Sequence, residues 1–146
     1  MAKQRGTARA TRRLPIPVPI LVLLVLVLGA IGYSILAPDA NATEHPTPRP
    51  GITAATVQPP ARYAADPQIV QVYAEVAQIA AVTDGLYCHC DCSRHSGHRS
   101  LLTCFEDDHG AGCDICLGEA HLAYTMTQQG ASLEQIRNAI DRQFDS

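Results

Sequence analysis

The sequence predicts a mainly α-helical protein with an N-terminal transmembrane helix, a proline-rich tether and a small cysteine-rich helical domain outside the cytoplasm. Three observations lead to this prediction. A charge-free apolar run follows a basic N-terminus, and a proline-rich stretch follows the run. In the C-terminal half, apolar residues then recur every three or four positions, which is typical of amphipathic helices.

The N-terminal 36 residues predict a single membrane-spanning helix. Residues 1–13 carry five Lys and Arg and no acid, and residues 14–36 carry no charge. The run exceeds the roughly 20 residues that a helix needs to cross a bilayer, and the positive-inside rule places the basic tail in the cytoplasm. A cleaved signal peptide, with the ANA at 40–42 as its cleavage site, is the rival interpretation, but the apolar run is long for one.

Charge is distributed unevenly along the chain, whose formal net charge is −3. All fourteen Asp and Glu follow the apolar run, against six of the eleven Lys and Arg. Such an acidic part lacks the basic surface that nucleic-acid binding requires, so we expect no nucleic-acid partner. A membrane and a metal ion are the expected partners, and the sequence indicates no particular protein partner.

Residues 37–65 predict a linker. They are rich in proline and poor in large apolar residues, a composition typical of semi-extended spacers. We expect His45, in this stretch, to be solvated.

The folded domain is expected over residues 66–146. Asp66 as N-cap and Pro67 at the first helical position predict the start of its first helix. A second helix is predicted from about 114 to 128. A third follows, where Ser132 and Gln135 form a capping box.

A domain of about 80 residues buries a marginal core, so such domains usually need disulfides or a metal ion as staples. All six cysteines lie in this domain, between positions 88 and 116, and four of them fall in a middle region, 87–112, with little periodicity. Because the chain has no Trp and only two Phe, we expect a core of Ile, Val, Leu and Ala.

The cysteine spacing indicates a site for a soft transition metal. Cys88, Cys90 and Cys92 alternate, and Cys113 and Cys116 form a CxxC at the start of the second predicted helix. The CxxC spacing suits zinc or an iron–sulfur centre, and a helix N-terminus favours thiolates. Thiolates in turn select Cu(I), Zn(II) and iron–sulfur clusters. Copper or zinc is the expected cofactor.

Two histidines are candidate ligands. His98 leads into an apolar turn that ends at Cys104, and His109 begins a flexible HGAG approach to Cys113. His95 is expected to be exposed in a polar loop, and His121 to face away from the cysteines. The acidic run 106–108 predicts a solvated turn.

Two other interpretations of the cysteines stay open. An even count in a small exported domain is typical of a disulfide framework, here pairing each of the first three cysteines with one of the last three. The sequence does not choose among the six such pairings. A CxxC is also the arrangement of thiol–disulfide proteins, with Cys113 as the nucleophile, although no thioredoxin-like pattern surrounds it. No enzyme signature is present, so we expect no enzymatic activity.

The stretch "YCHCDC…GHRSLLTCF…DDHGAGCDICLGEA" resembles the PCYCGC-motif family of small exported bacterial proteins and lipoproteins. The resemblance implies a bacterial cell-envelope location but no activity. The chain departs from the family pattern at three positions: Tyr87 stands in place of proline, His89 in place of tyrosine and Asp91 in place of glycine. His89 could add a ligand. The resemblance implies that the motif positions, our candidate metal ligands, are Cys88, Cys90, Cys92, His98, Cys104, His109, Cys113 and Cys116.

Overall fold

A computed structural model describes residues 17–36 and 43–144. The chain divides into two compact units, 1–42 and 43–146. All regular structure in the described ranges is helical and none is strand, so the predicted mainly α class is confirmed. The predicted cytoplasmic tail, 1–13, lies outside the described residues.

Helix α1 of the first unit spans Val18–Leu36. Its side chains are described from Pro19 to Gly29, and the large apolar ones among them are exposed. Among the residues that the structure describes, no helix combines the length and the apolarity needed to cross a membrane. The transmembrane anchor predicted over 14–36 is therefore not supported by the structure.

Within residues 43–144, five helices form the framework of the second unit. They are α2 (Pro67–Gln78), α3 (Ala80–Thr83), α4 (Cys92–His95), α5 (Asp114–Gln128) and α6 (Leu133–Phe144). Short 3-10 turns lie at Ala54–Thr56, Pro60–Tyr63, Leu101–Phe105 and Gly110–Gly112. Helix α5 packs against both α2 and α6, and the irregular middle of the unit lies beside its N-terminal half.

The helix starts follow the predicted capping signals. The Asp66 carboxylate accepts the backbone N–H groups of Gln68 and Ile69 at 3.0 and 3.3 Å, with Pro67 at the first position of α2. At α6, the Gln135 side chain accepts the Ser132 N–H at 2.8 Å, and the Ser132 hydroxyl accepts the Gln135 N–H at 3.3 Å. This reciprocal pair is the predicted capping box.

The core contains more aromatic surface than the composition suggested. Tyr73 and Phe105 are fully buried, with ring centroids 4.9 Å apart in an edge-to-face contact. Aliphatic side chains of α2, α5 and α6 surround them, and the sulfurs of Cys88, Cys92 and Cys104 are part of the same cluster. The prediction of a core made only of Ile, Val, Leu and Ala is therefore incomplete, because the buried pair of aromatic rings also belongs to the core.

The predicted linker over 37–65 differs from the structure, because residues from 43 onward belong to the second unit. Val57 is buried, and the Gln58 N–H donates to the Phe105 carbonyl at 2.9 Å. His45, predicted to be solvated, has a side chain only 7% exposed that lies 3.0 Å from Asp141 of α6. Proline-rich backbone has few N–H groups to satisfy, so it lies on the helices with a small number of specific contacts.

Candidate metal centre

Four segments of the second unit meet at one place and carry the cysteines. They are the loop 87–91, the start of α4, the turns at 101–112 and the N-terminus of α5. Gly110 permits the two turns within 101–112 to touch each other: a Cβ there would lie 2.9 Å from the Cys104 carbonyl oxygen. Asp91 has φ +57°, a left-handed conformation that turns the chain between Cys90 and Cys92. This is the position where the sequence resemblance places glycine, the residue that adopts this conformation most readily.

The sulfur atoms lie close together without being bonded. Cys88 Sγ lies 3.3 Å from Cys90 Sγ and 3.4 Å from Cys116 Sγ, and Cys90 and Cys116 are 3.7 Å apart. Cys92 and Cys104 form a separate close pair at 3.3 Å. A disulfide bond is about 2.05 Å long, whereas two thiolates on one tetrahedral zinc, with Zn–S bonds of about 2.3 Å, lie about 3.8 Å apart. The separations are much nearer to the second value.

All eight candidate ligands occur in groups that could hold a metal ion. Four groups have their ligand atoms within 4.8 Å of one another: Cys90, His109, Cys113 and Cys116; Cys92, His98, Cys104 and His109; Cys88, Cys90 and Cys92; and Cys88, Cys104 and Cys116. The groups overlap, so the eight side chains form one contiguous centre of thiols and imidazoles. Residues from both ends of the cysteine-rich region contribute to it.

His98 has the arrangement of a metal-ligating histidine. Its Nε2 lies 3.0 Å from the Asp107 carboxylate, and the residue is 7% exposed. Its Nδ1 is buried and has no hydrogen-bond partner among the described residues. Ligating histidines usually donate their other ring N–H to a carboxylate, which fixes the tautomer and directs the free nitrogen to the metal. The buried Nδ1 is thus the atom that a cation would satisfy.

His109 lies between the cysteine groups. Its Nε2 is 3.6 Å from Cys90 Sγ, and its ring packs edge-on against His98 with centroids 4.8 Å apart. Asp107 accepts the backbone N–H of His109 at 2.8 Å, so one carboxylate positions both histidines. Burial, and then the neighbouring His98, lower the pKa of His109 below its ordinary value. The lowered pKa favours the neutral imidazole, which is the form that binds metals.

The buried thiols resist ionisation in the absence of a cation. Contact with Cys104 and burial raise the pKa of Cys116. Contact with Cys104 lowers the pKa of Cys88, but contact with Cys116 and burial together raise it. A bound metal ion reverses this effect, because it supplies the positive charge that stabilises thiolates.

The structure also shows two carboxylates that sequence reasoning missed. Asp107 was predicted only as part of a solvated turn, yet it positions both histidines. Glu119 is fully buried and accepts the backbone N–H of His89 at 2.9 Å, and the ring Nδ1 of His89 lies 2.7 Å from the same oxygen. Glu119 follows Cys116 by three positions on α5, a spacing that places both on one face. This three-residue spacing from a cysteine was the one feature of the sequence that could have indicated Glu119.

The remaining histidines lie outside the four groups. His89, which the resemblance suggested as an extra ligand, faces Glu119 and Asp141. His95 is exposed, as predicted, and His121 points away from the cysteines to pair with Glu75 at 2.8 Å.

A family described as proteins of unknown function with a PCYCGC motif has a model that matches residues 51–146. The chain therefore belongs to this family. No curated protein and no solved structure matches the chain.

Proposed function

We propose that this member of the PCYCGC family is an extracytoplasmic binding protein for a soft transition metal, zinc or copper. Clustered cysteines, assisted by His98 and His109, hold the ion. The observation that carries the proposal is the convergence of eight sulfur and imidazole donors in overlapping groups, each group within 4.8 Å. Thiolate and imidazole ligands together select zinc and copper over hard cations such as magnesium and calcium.

The surroundings of the donors support binding rather than catalysis. Cys104 and Cys116 are fully buried, and Cys88 and Cys92 are nearly so. Zinc centres closed by four protein ligands are structural, whereas catalytic centres keep one position open to water or substrate. A buried, ligand-rich centre therefore fits storage, transfer or structural use of the ion. We propose no enzymatic activity.

The proposed ion also contributes to folding. Four of the six cysteines belong to the buried core, so their ligation joins the irregular middle of the domain to α5. Because a preformed site rarely exists in an unfolded chain, the free energy of metal binding adds to the free energy of folding.

Thiol release distinguishes a metal centre from a disulfide framework. The full-length chain, purified without chelator or reductant, is treated with an alkylating reagent before and after addition of a strong metal chelator. We expect few modified cysteines before the chelator and six after it. Six thiols that react only after a reductant is added, with no effect of the chelator, would contradict the proposal.

A disulfide-stapled interaction module is the second candidate, because two sulfur pairs are already close. Cys92 lies 3.3 Å from Cys104, and Cys88 lies 3.4 Å from Cys116. Each pair joins one of the first three cysteines to one of the last three, leaving Cys90 and Cys113 as the third pair. Peptide mapping of the unreduced chain should recover these three pairs if this candidate is correct.

The extracytoplasmic location rests on the basic tail and the apolar run of the sequence. We propose a single-pass cell-membrane protein with its N-terminus in the cytoplasm and residues 43–146 outside. In a bacterial host, external protease added to spheroplasts should digest the second unit while cytoplasmic proteins stay intact. Protection of the unit until the cells are lysed would contradict this location.

A further inference from the structure

The centre contains more ligands than one ion uses. A structural zinc ion takes four protein ligands, and eight donors are gathered here. Two of the four groups are already complete four-ligand sets, and the only residue they share is His109. The arrangement therefore resembles two adjoining sites more than one site with spare ligands.

The shared histidine decides how the ligands divide. The group with Cys92, Cys104 and His98 has only three members without His109. The other group can replace His109, because Cys88 Sγ lies 3.3 Å from Cys90 Sγ and 3.4 Å from Cys116 Sγ. Cys88 also lies within 4.8 Å of Cys92 and Cys104, but its contacts of 3.3 and 3.4 Å with Cys90 and Cys116 favour the second group. Giving His109 to the first group and Cys88 to the second then provides each ion with four ligands.

We infer that the centre holds two zinc ions in nested sets, an inference that rests on the proposed metal-binding function. The outer set is Cys88, Cys90, Cys113 and Cys116, and the inner set is Cys92, His98, Cys104 and His109. In sequence order, Cys88 and Cys90 come before the four inner ligands, and Cys113 and Cys116 come after them. The outer ion joins the loop at 87–91 to α5, and the inner ion closes the segment between them.

The two ligand sets would give zinc complexes of different net charge, and this difference matches their positions in the fold. Four thiolates give the outer zinc complex a net negative charge, whereas two thiolates and two neutral imidazoles balance the inner zinc ion. Cys113 is the N-cap residue of the fifteen-residue helix α5, and Cys116 lies in its first turn. A helix N-terminus stabilises negative charge, so the anionic complex lies where the helix dipole favours it.

An independent observation marks the inner set. The Nδ1 atom of His98 is buried and, among the described residues, has no hydrogen-bond partner. The opposite ring nitrogen is held by Asp107 at 3.0 Å. A buried imidazole nitrogen with a free lone pair needs a partner, and a zinc ion shared with Cys92 and Cys104 would be that partner.

Zinc stoichiometry tests the inference. The full-length chain is reduced, stripped of metal, reconstituted anaerobically with excess Zn(II) and desalted. Bound zinc per chain is then measured by elemental analysis and native mass spectrometry. We expect two zinc ions per chain in the wild type, one in Cys113→Ser, one in His98→Asn and none in the double variant. His95→Asn is the matched control, because His95 is exposed and outside every group, and it should retain two.

The outcomes separate this inference from the proposed function. A wild-type chain that binds no zinc and no copper(I) would overturn both. One zinc ion per chain, or more than two, would overturn the nested sets and leave metal binding intact. Loss of both ions in each single variant, with helical circular dichroism retained, would also overturn them, because it would show one cluster with bridging thiolates.

Discussion

Asp107 connects the two histidines of the centre through its two carboxylate oxygens. One oxygen lies 3.0 Å from His98 Nε2, and the other accepts the His109 backbone N–H at 2.8 Å. Asp107 belongs to none of the four groups that could hold a metal ion. Its role is to orient the imidazoles, and carboxylates in this position generally raise metal affinity without binding the ion.

Asp107→Ala should therefore lower zinc affinity by about 10- to 100-fold, the usual cost of removing such a partner. Competition with a chromogenic chelator measures the affinity. Asp108→Ala is the matched control, since the neighbouring carboxylate is as exposed as Asp107, 59% against 55%, but pairs with Arg62 instead of the histidines. Equal affinities in the two variants would contradict the positioning role.

Asp91 supplies a second test at residue scale, because it has a left-handed backbone at the turn between two candidate ligands. A β-branched side chain is strongly disfavoured in this conformation, whereas glycine adopts it freely. Asp91→Val should destabilise the zinc-loaded protein by at least about 1–2 kcal/mol, and Asp91→Gly should leave its stability within about 1 kcal/mol. Urea denaturation of both variants gives the comparison, and equal losses would argue against a conformational requirement.

The residues that gather in the candidate metal centre could be predicted from the sequence, but the residues that orient them could not. Cysteine and histidine are rare and chemically distinctive, so their spacing, together with the family resemblance, selected all eight members of the groups. Aspartate and glutamate are common on surfaces, so Asp107 and Glu119 gave no comparable signal. Glu119 is distinguished by its burial and by its contact with the distant His89. Asp107 is exposed like other surface acids, and only its contacts with the two histidines, which the tertiary fold creates, distinguish it.

At the scale of elements, the segment 43–65 shows the limit of composition as evidence. Arg49 joins this segment to the end of α3, where its guanidinium donates to the fully buried Asp84 carboxylate at 2.8 Å. Arg99 and the Ser100 hydroxyl donate to the same carboxylate at 2.7 and 3.0 Å. Proline content predicted a semi-extended spacer, and it contained no information about these contacts. Helix starts were predictable because their capping signals are local.

Arg49→Ala should lower the free energy of unfolding by about 1–3 kcal/mol, because it removes hydrogen bonds to a buried carboxylate. Arg62→Ala is the matched control: its guanidinium pairs with exposed Asp108, so this variant should show little change. Urea denaturation of the full-length chain measures both. Equal stability of the two variants would contradict the stabilising role of the contact between Arg49 and Asp84.

The contact between this segment and α6 predicts a pH dependence. Burial lowers the pKa of His45, and the hydrogen bond to Asp141 only partly opposes this effect. The folded chain therefore binds fewer protons than the unfolded chain, in which histidine titrates near pH ~6.5. Its stability should decrease as the pH falls through that value.

The His45→Gln variant isolates this effect, because glutamine retains a donor and an acceptor but does not titrate in this range. Denaturation at pH 7.5 and 5.5 should show a larger loss of stability in the wild type than in the variant. Protons also compete with the metal ion for its ligands, but this effect is the same in the wild type and the variant. It therefore cancels when their losses of stability are compared. Identical losses would contradict the assignment to His45.

At the scale of the whole molecule, the cysteines lie within a small hydrophobic core. The cluster of buried residues includes four cysteines beside its aliphatic and aromatic members. Domains of this size commonly need a metal or disulfides to fold stably. The sequence predicted that requirement from length and cysteine count, and the structure shows that the thiols lie where α5 meets the irregular middle. A metal ion there would connect elements that otherwise share few regular hydrogen bonds.

Native mass spectrometry before and after acid denaturation tests the proposed metal binding most directly. The sample is the full-length chain, purified anaerobically without chelator or reductant. We expect bound zinc or copper that leaves on denaturation, with the remaining chain at the full mass expected for six reduced cysteines. A metal-free chain lighter by six hydrogens, the signature of three disulfides among those six cysteines, would contradict it.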